Sequence, residues 1–215
     1  MSDQIVDGRR ARGDASRRSV LSRATHLASV EGLDGLTIGH LAETSGHSKS
    51  SIATLFGSKQ SLQLATIAAA REVFMATIVE PARTEPRGLR RLAVLMRNGL
   101  AYSRDRVFTG GCFFAATSAD IDSKPGPVRD AVRTAQSDWY GYIAAQVRYA
   151  IEAGELTADP ADAEDIAFEL VALDEHANNR SLLLGDDRAY DVAARAMRRR
   201  LIAAGASEKM LAPLQ

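Results

Sequence analysis

The sequence predicts an all-helical protein of about nine helices, three short ones leading and larger ones following. Apolar residues recur at helical spacing along nearly the whole chain, alanine is abundant, and no segment alternates apolar and polar residues for long. Residues 1–14 are polar, contain glycine and lack this periodicity, so we expect them to form a disordered basic arm.

The composition is that of an ordinary globular protein without a bias toward one kind of partner. The 215 residues are 46% hydrophobic and 25% charged, with 27 basic and 27 acidic side chains. The first 30 residues hold six arginines against three aspartates, which suits either phosphate contact or a solvated terminus. One cysteine suits a cytoplasmic protein, and we expect no secretory signal, no stretch of about 18 apolar residues and no membrane contact.

Capping signals divide the N-terminal part of the chain into four helices. Thr37, Ser48 and Ser58 are suitable N-caps for the second, third and fourth helices. Gly32 or Gly35 ends the first helix, and Pro81 stops the fourth. The predicted helices cover about 16–31, 37–45, 48–55 and 58–79.

Glycine and proline clusters separate the remaining five helices. The segment after Pro86 is helical to about residue 104, and a short apolar helix lies within residues 109–122. The SKPGP stretch at 123–127 is a clear break. The last three predicted helices cover about 128–153, 161–184 and 187–204.

The stretch from Thr37 to Phe56 has the spacing of a helix-turn-helix. Ala42 is small enough for two helices to cross closely, and Gly46 follows in the turn, where a left-handed backbone is needed. Ile52 and Leu55, three residues apart, form the inward stripe of the second helix. The alternative is a tight helical corner without a nucleic-acid role, because serine-rich helix starts are common.

The outward face of the second helix in this motif favours DNA binding. Its residues are small or basic and none is acidic, so the helix can approach base edges without repelling phosphates. Lys49 is the strongest candidate for a guanine or phosphate contact, and His47 lies beside the helix within reach of a phosphate. The full outward set is Ser48, Lys49, Ser50, Ser51, Ala53 and Thr54.

Residues from about Arg17 to Ala70 resemble the DNA-binding domain of the tetracycline-repressor (TetR) family. The resemblance rests on the pattern ATHLASVEGLDGLTIGHLAETSGHSKSSIATLFGSKQSL. It implies a three-helix helix-turn-helix domain over 15–60, a helical effector-binding and dimerisation domain over 61–205 and a tail over 206–215. The implied protein is a cytoplasmic, homodimeric repressor that a small-molecule effector releases from a palindromic operator.

Carried over by position, the resemblance implies roles for further residues. Thr37 would hold a phosphate at the start of the second helix, and Lys59 would grip the DNA backbone. Ala53 and Leu55 stand where the family prefers tyrosines, which implies a thinner contact set. Arg17 and Arg18 are expected to compensate from the N-terminal arm.

The resemblance also implies a cavity for a largely apolar effector in the C-terminal domain. Side chains in such a helical stripe belong more often to the core than to a pocket, and His176 is alternatively an interface residue. We expect the Cys112 thiol to be packed and inert, because apolar burial raises a thiol pKa; the alternative is an enzyme that uses it. No cofactor or metal is expected. The lining candidates are Met96, Cys112, Phe113, Trp139, Tyr142 and His176.

The last two predicted helices each carry an apolar face that can pair with a second copy in a four-helix interface. Two recognition helices about 34–36 Å apart would then read a palindrome. A helical interaction module without DNA binding is the alternative function. The interface candidates are Ile166, Leu170, Leu173, Ala177, Val192 and Ala196.

Overall fold

The computed structural model describes the backbone of residues 2–214 and the side chains of residues 13–214. Over this part of the chain the fold consists of nine helices and contains no strand, which confirms the predicted all-helical class. The helices are α1 Ser2–Gly35, α2 Ile38–Ser45, α3 Lys49–Phe56, α4 Lys59–Ala82, α5 Leu89–Arg104, α6 Phe113–Ile121, α7 Pro127–Glu152, α8 Ala163–Leu184 and α9 Arg188–Ala203. Short 3₁₀ turns occupy Pro160–Asp162 and Ala212–Leu214.

Side-chain caps fix the starts of α2, α3 and α4. Thr37, Ser48 and Ser58 each accept a hydrogen bond of 3.1 Å from the backbone N–H three residues further on. Between α2 and α3, Gly46 adopts the left-handed conformation with φ 71°, which a side chain would disfavour. These three helix starts and the turn are as the sequence predicted.

Helix α1 is longer than predicted at its N-terminal end. It begins at Ser2, so helix replaces the expected disorder over residues 2–14. Residues 2–14 contain no proline, and adding residues to an existing helix costs far less than starting one. The arginines that precede Gly13 lie outside the described side chains. At the other end, Gly32 leaves the helical conformation with φ 74°, and the helix closes at Gly35 as expected.

Helix α4 passes through Pro81, where the sequence predicted a stop. A π turn over Met75–Val79 precedes the proline, and the helix continues to Ala82. The wider π turn relieves the clash that a proline ring makes with the carbonyl four residues earlier. By length and composition alone α4 could cross a membrane, contrary to expectation, although core helices of soluble proteins meet the same criterion and Leu62 and Ile67 are buried in the core.

The core runs through both halves of the molecule. Helix α1 packs on α4 and α6, which ties the N-terminal helices to the rest of the chain, and α8 packs between α7 and α9. Helix α5 is central, with Leu92, Leu95 and Met96 almost fully buried. The predicted tail over 206–215 is not free, because Leu211 and Leu214 are buried and the 3₁₀ turn packs on α5.

Candidate functional site

Helices α2 and α3 form the helix-turn-helix corner that the sequence predicted. Leu41 of α2 and Ile52 of α3 are fully buried, and Phe56 is nearly so. Ala42 and Leu55 are half-buried and pack on the same core. Because these side chains take the inward face, α3 is fixed against α1 and α2 with its opposite face toward solvent.

The outward face of α3 carries small polar side chains. Ser48, Lys49, Ser50, Ala53 and Thr54 are exposed, and Ser51 is half-buried. The Ser48 and Ser50 hydroxyls lie 3.0 Å apart, and the Thr54 hydroxyl donates to the Ser50 carbonyl oxygen at 2.8 Å. A shallow open groove runs between this face and Gly13 and Ser16 of α1.

Lys49 is the basic side chain of α3 and projects into solvent with 67% of its side chain exposed. Its ammonium lies 3.9 Å from the equally exposed Glu43 carboxylate, a weak contact that a phosphate can displace. Arg18 is exposed on α1. His47 is half-buried in the turn, where its backbone N–H donates to the Ser45 hydroxyl at 3.4 Å.

Three other predicted DNA contacts already have partners inside the protein. Arg17 donates to the Leu55 carbonyl oxygen at 3.0 Å. The Lys59 ammonium donates to the Asp34 carbonyl oxygen at 2.8 Å. The Thr37 hydroxyl is used by the α2 cap. The structure thus separates the exposed outward side chains of α3, whose hydrogen bonds stay within α3, from Arg17 and Lys59, which bond to other helices.

A cavity of about 410 Å³ lies between α4, α7 and α8. Its walls are aromatic: the rings of Phe74 and Trp139 meet edge to face with centroids 5.0 Å apart, and Phe114 lies 5.8 Å from Phe74. The lining residues on α4 and the α6 side are Arg71, Phe74, Met75, Val79, Arg83, Cys112 and Phe114. Those on α7 and α8 are Ala135, Gln136, Asp138, Trp139, Gly141, Tyr142, Ala145, Val171, Asp174 and Glu175.

Half of the predicted lining residues reach this cavity. Cys112, Trp139 and Tyr142 line it. Met96 and Phe113 do not, because both are buried in the core behind the wall. His176 is exposed on the outer side of α8, so it faces solvent and not the cavity.

The charged groups of the cavity are unevenly paired. Arg71 and Asp138 form an ion pair of 2.7 Å, whereas Asp174 Oδ1 is buried without a hydrogen-bond partner. Burial, reinforced by the neighbouring Glu175, raises the pKa of Asp174 from its usual 3.8 to about 7. Burial also raises the pKa of Glu175. Hydrogen bonds from the Gln136 and Tyr140 side chains partly offset that rise.

The Cys112 thiol is held protonated. Burial raises its pKa to about 12, and the nearby carboxyl of Asp174 adds to the effect. The Cys112 backbone N–H donates to the Asn178 side-chain oxygen at 3.0 Å, which fixes the start of α6 against α8. A thiol in this setting is a poor nucleophile.

Sequence reasoning missed much of the cavity, including Phe74, Met75 and the two carboxyls. The available signal was on α8, where Asp174 and Glu175 interrupt the apolar run AFELVALDEHA. Charged residues on the buried side of a helix indicate either pairing or a site.

Two segments connect the cavity to the helix-turn-helix corner. Helix α4 lines the cavity near its C-terminal end, and at its start the Gln63 side chain donates to the Leu33 carbonyl oxygen of α1 at 2.6 Å. The loop before α6 reaches α1 as well, since the Gly110 N–H donates to the Ser29 hydroxyl at 2.9 Å. Movement of either segment would therefore displace α1.

The predicted interface residues are divided between the core and the surface. Ile166 and Leu170 are fully buried and Ala177 is 2% exposed, so these three belong to the protomer core and the prediction is wrong for them. They occupy the stripe of α8 that faces the core-forming helices. Val192 is exposed, and Leu173 and Ala196 are half-buried. The exposed large apolar residues of the last two helices are Phe168, Leu182, Leu183, Leu184, Val192 and Ile202.

Comparison with known proteins places this architecture among regulators. Residues 88–197 match the family model described as tetracyclin repressor-like, C-terminal domain, which is 110 of the 215 residues. Among proteins with curated descriptions, none matches the chain by sequence.

Solved structures with the same fold cover three quarters or more of the chain. A TetR transcriptional regulator from Chloroflexus aurantiacus superimposes with a TM-score of 0.75 and 23% identity, over 87% of this chain and 94% of its own. A TetR-family regulator from Agrobacterium tumefaciens gives 0.78 and 20%, over 88% and 98%. AibR in complex with isovaleryl coenzyme A and operator DNA gives 0.65 and 14%, over 76% and 85%. The matched C-terminal domain and the shared fold together show that the chain belongs to the TetR family of transcriptional regulators.

Proposed function

We propose that this protein is a homodimeric repressor that binds a palindromic DNA operator through α3 and leaves it when a small molecule occupies the cavity. The observation that carries the proposal is the outward face of α3. It is exposed, free of acidic side chains and free of bulky ones, although the corner behind it is firmly packed. Those are the requirements of a helix that enters a major groove.

The proposed DNA contacts are of two kinds. Base edges would be met by the exposed side chains of α3, with Lys49 as the strong donor and the Ala53 methyl available to a thymine methyl. Phosphates would be met by Arg18, by His47 and by the free backbone N–H groups at the start of α3. The remaining proposed contacts are Ser48, Ser50, Ser51 and Thr54, whereas Arg17, Thr37 and Lys59 would support DNA binding by holding the corner in position.

Effector binding would act on DNA affinity through α4. Arg71, Phe74, Met75 and Val79 on this helix line the cavity, and its first turns are bonded to the end of α1. The π turn over Met75–Val79 lies within the lining stretch, and such turns occur frequently at functional sites. A shift of α4 would change the distance between the two recognition helices of a dimer, and a coupling of about 1–3 kcal/mol would suffice to alter occupancy strongly.

The proposed dimer interface is the exposed apolar face of α8 and α9. Phe168 and Leu183 are 65% and 78% exposed on α8, and Val192 is 52% exposed on α9. Single exposed apolar residues are common, but several large ones on two adjacent helices indicate a partner surface. A second copy is the partner that an operator palindrome requires.

The solved neighbours support a ligand site and a DNA site on one fold. AibR was crystallised with both isovaleryl coenzyme A and operator DNA. Catalysis through Cys112 has no comparable support, since its thiol is held protonated.

Selection from random duplex DNA tests the proposal. The native protein should enrich a palindrome whose half-site centres lie one or more helical turns apart. Ala53→Glu places a carboxylate on the outward face of α3 without touching the core, so it should abolish enrichment and leave the helical circular-dichroism signal and melting temperature unchanged. Failure of the native protein to enrich any palindrome at low salt would favour the interaction module instead.

A further inference from the structure

The acidic pair at the cavity wall lacks a counter-charge. Asp174 and Glu175 are adjacent on α8, both line the cavity, and no cationic side chain of the described residues forms an ion pair with either. Asp174 Oδ1 and the Tyr142 hydroxyl oxygen, from two cavity-lining residues, are buried and have no hydrogen-bond partner. A buried carboxyl without a hydrogen-bond partner costs stability. Its presence here indicates that a bound ligand supplies the missing partner.

The basic side chains of the cavity are already committed elsewhere. Arg71 bonds Asp138 at 2.7 Å, and Arg83 bonds Glu80 at 2.7 Å. These two pairs leave the carboxyls of Asp174 and Glu175 as the uncompensated charge among the described lining residues. When both carboxyls are ionised, the three lining carboxylates outnumber the two lining guanidiniums, so the lining carries a net negative charge.

The apolar residues that line the rest of the cavity suit an aromatic or aliphatic part of a ligand. Phe74, Phe114 and Trp139 supply aromatic edges and faces, and Met75 and Val79 add aliphatic surface. Aromatic faces attract cations as well, by up to about 2 kcal/mol in a desolvated site. An apolar cavity with one acidic wall thus combines two features that both favour an amphiphilic cation.

We propose that the effector is a lipophilic amine whose ammonium group binds Asp174 and Glu175 while its apolar part fills the aromatic end of the cavity. This inference rests on the proposed function, because it names the chemical class of the effector. An ammonium supplies the donors that Asp174 Oδ1 and the Tyr142 hydroxyl lack, and it removes the repulsion between the two carboxyls. An anion would meet the same carboxyls and be excluded.

Three probes that differ only in their terminal group separate these cases. The probes are 4-phenylbutylamine, 4-phenylbutan-1-ol and 5-phenylpentanoate, which are cationic, neutral and anionic at about pH 8. Trp139 is the only tryptophan of the chain and lines the cavity, so quenching of its fluorescence reports binding there directly. We expect the amine to bind at least about tenfold more tightly than the alcohol, and the carboxylate more weakly than either.

Isosteric variants assign that preference to the acidic pair. Asp174→Asn and Glu175→Gln should each reduce the ratio of amine to alcohol affinity, and the double variant should bring it close to one. Alcohol binding should persist in all three variants, which shows that the cavity is still formed. Asp165→Asn, an exposed position on the same helix, is the control and should keep the native ratio.

Two results would overturn the inference. The first is absence of amine binding up to its solubility limit, or binding no tighter than that of the alcohol. The second is a preference that survives in the double variant. The fluorescence measurement uses no DNA, so it is independent of the operator selection. Failure to select a palindrome would remove the role of effector but leave the amine site, and loss of amine preference would remove the amine site but leave the proposed DNA binding.

Discussion

Arg17 of α1 donates a hydrogen bond of 3.0 Å to the carbonyl oxygen of Leu55, in the last turn of α3. Its guanidinium also lies 4.6 Å from the centroid of the Phe56 ring. A cation near the C-terminal end of a helix is favourably placed, and stacking on the ring fixes its orientation. The contacts indicate that Arg17 positions the recognition helix, whereas Arg18 beside it is exposed.

Arg17→Gln and Arg18→Gln should therefore weaken DNA binding in different ways. Arg17→Gln should lower the melting temperature and the affinity, but it should leave the salt dependence of binding unchanged. Arg18→Gln should leave the melting temperature unchanged and reduce the slope of log affinity against log salt by about 1. Fluorescence anisotropy across a salt series measures both slopes, and a reduced slope for Arg17→Gln would show that Arg17 contacts phosphate itself.

Lys49→Ala should weaken operator binding and flatten its salt dependence without changing the melting temperature. The side chain is 67% exposed and its one acidic neighbour is 3.9 Å away, so its loss costs the fold little. Lys209→Ala is the matched control, because Lys209 is exposed near the other end of the chain. Unchanged affinity in the Lys49 variant would remove Lys49 from the contact surface.

The local features of the sequence predicted the corner well. A cap is a hydrogen bond across three residues, so the sequence around Thr37, Ser48 and Ser58 contains the whole interaction. The helix starts and the outward face of α3 depend on such short-range rules.

Features that depend on neighbouring helices could not be predicted in the same way. Ile166 and Phe168 are both apolar and two residues apart on α8, yet one is fully buried and the other 65% exposed, because α5 and α7 cover only one side. The cavity is still harder to predict from the sequence, because it lies in the space that α4, α7 and α8 leave between them. Phe74 was missed because its helix resembles any other core helix until the π turn is known.

Leu183→Glu should convert the proposed dimer to a monomer. The side chain is 78% exposed on α8, so a carboxylate is harmless in a monomer and costly when a second copy covers it. Val30→Glu introduces the same charge at a 60% exposed position on α1, outside the proposed interface, and this variant should still sediment as a dimer. Sedimentation velocity measures both, and a native protein that sediments as a monomer would contradict the interface directly.

Gly110→Ala should disturb the contact between the loop before α6 and α1. A Cβ at this position would lie 1.9 Å from the Ser29 carbonyl oxygen, which is backbone and cannot turn away. We expect a loss of about 1–3 kcal/mol in the free energy of unfolding, measured by urea denaturation. Gly13→Ala is the control, since a Cβ there meets nothing within 4 Å. An unchanged stability of the Gly110 variant would mean that α6 and α1 separate easily.

Ionisation of Asp174 should make the free protein less stable as the pH rises from about 4 to about 7. Burial and Glu175 raise its pKa to about 7, so the folded state holds the proton more tightly than the unfolded chain does. The cost is absent below about pH 4, grows through this interval and is complete above it. The groups around Asp174 do not oppose this, because the Tyr102 hydroxyl and the Cys112 thiol stay neutral and the Arg71 guanidinium is paired with Asp138.

Asp174→Asn removes one of the two buried carboxyls whose pKa is raised, so the stability profile should become shallower and keep only the part that Glu175 contributes. A rise in pKa from 3.8 to about 7 corresponds to roughly 4 kcal/mol at pH 8, so the variant should be more stable than the native protein there by up to about that amount. Near pH 4.5 the difference should be small. Urea unfolding at equal protein concentration and both pH values measures it, with Asp165→Asn as the exposed control. An equal difference at the two pH values would mean that Asp174 is already ionised at the lower one, and that its carboxylate is better solvated in the cavity than its unpartnered oxygen indicates.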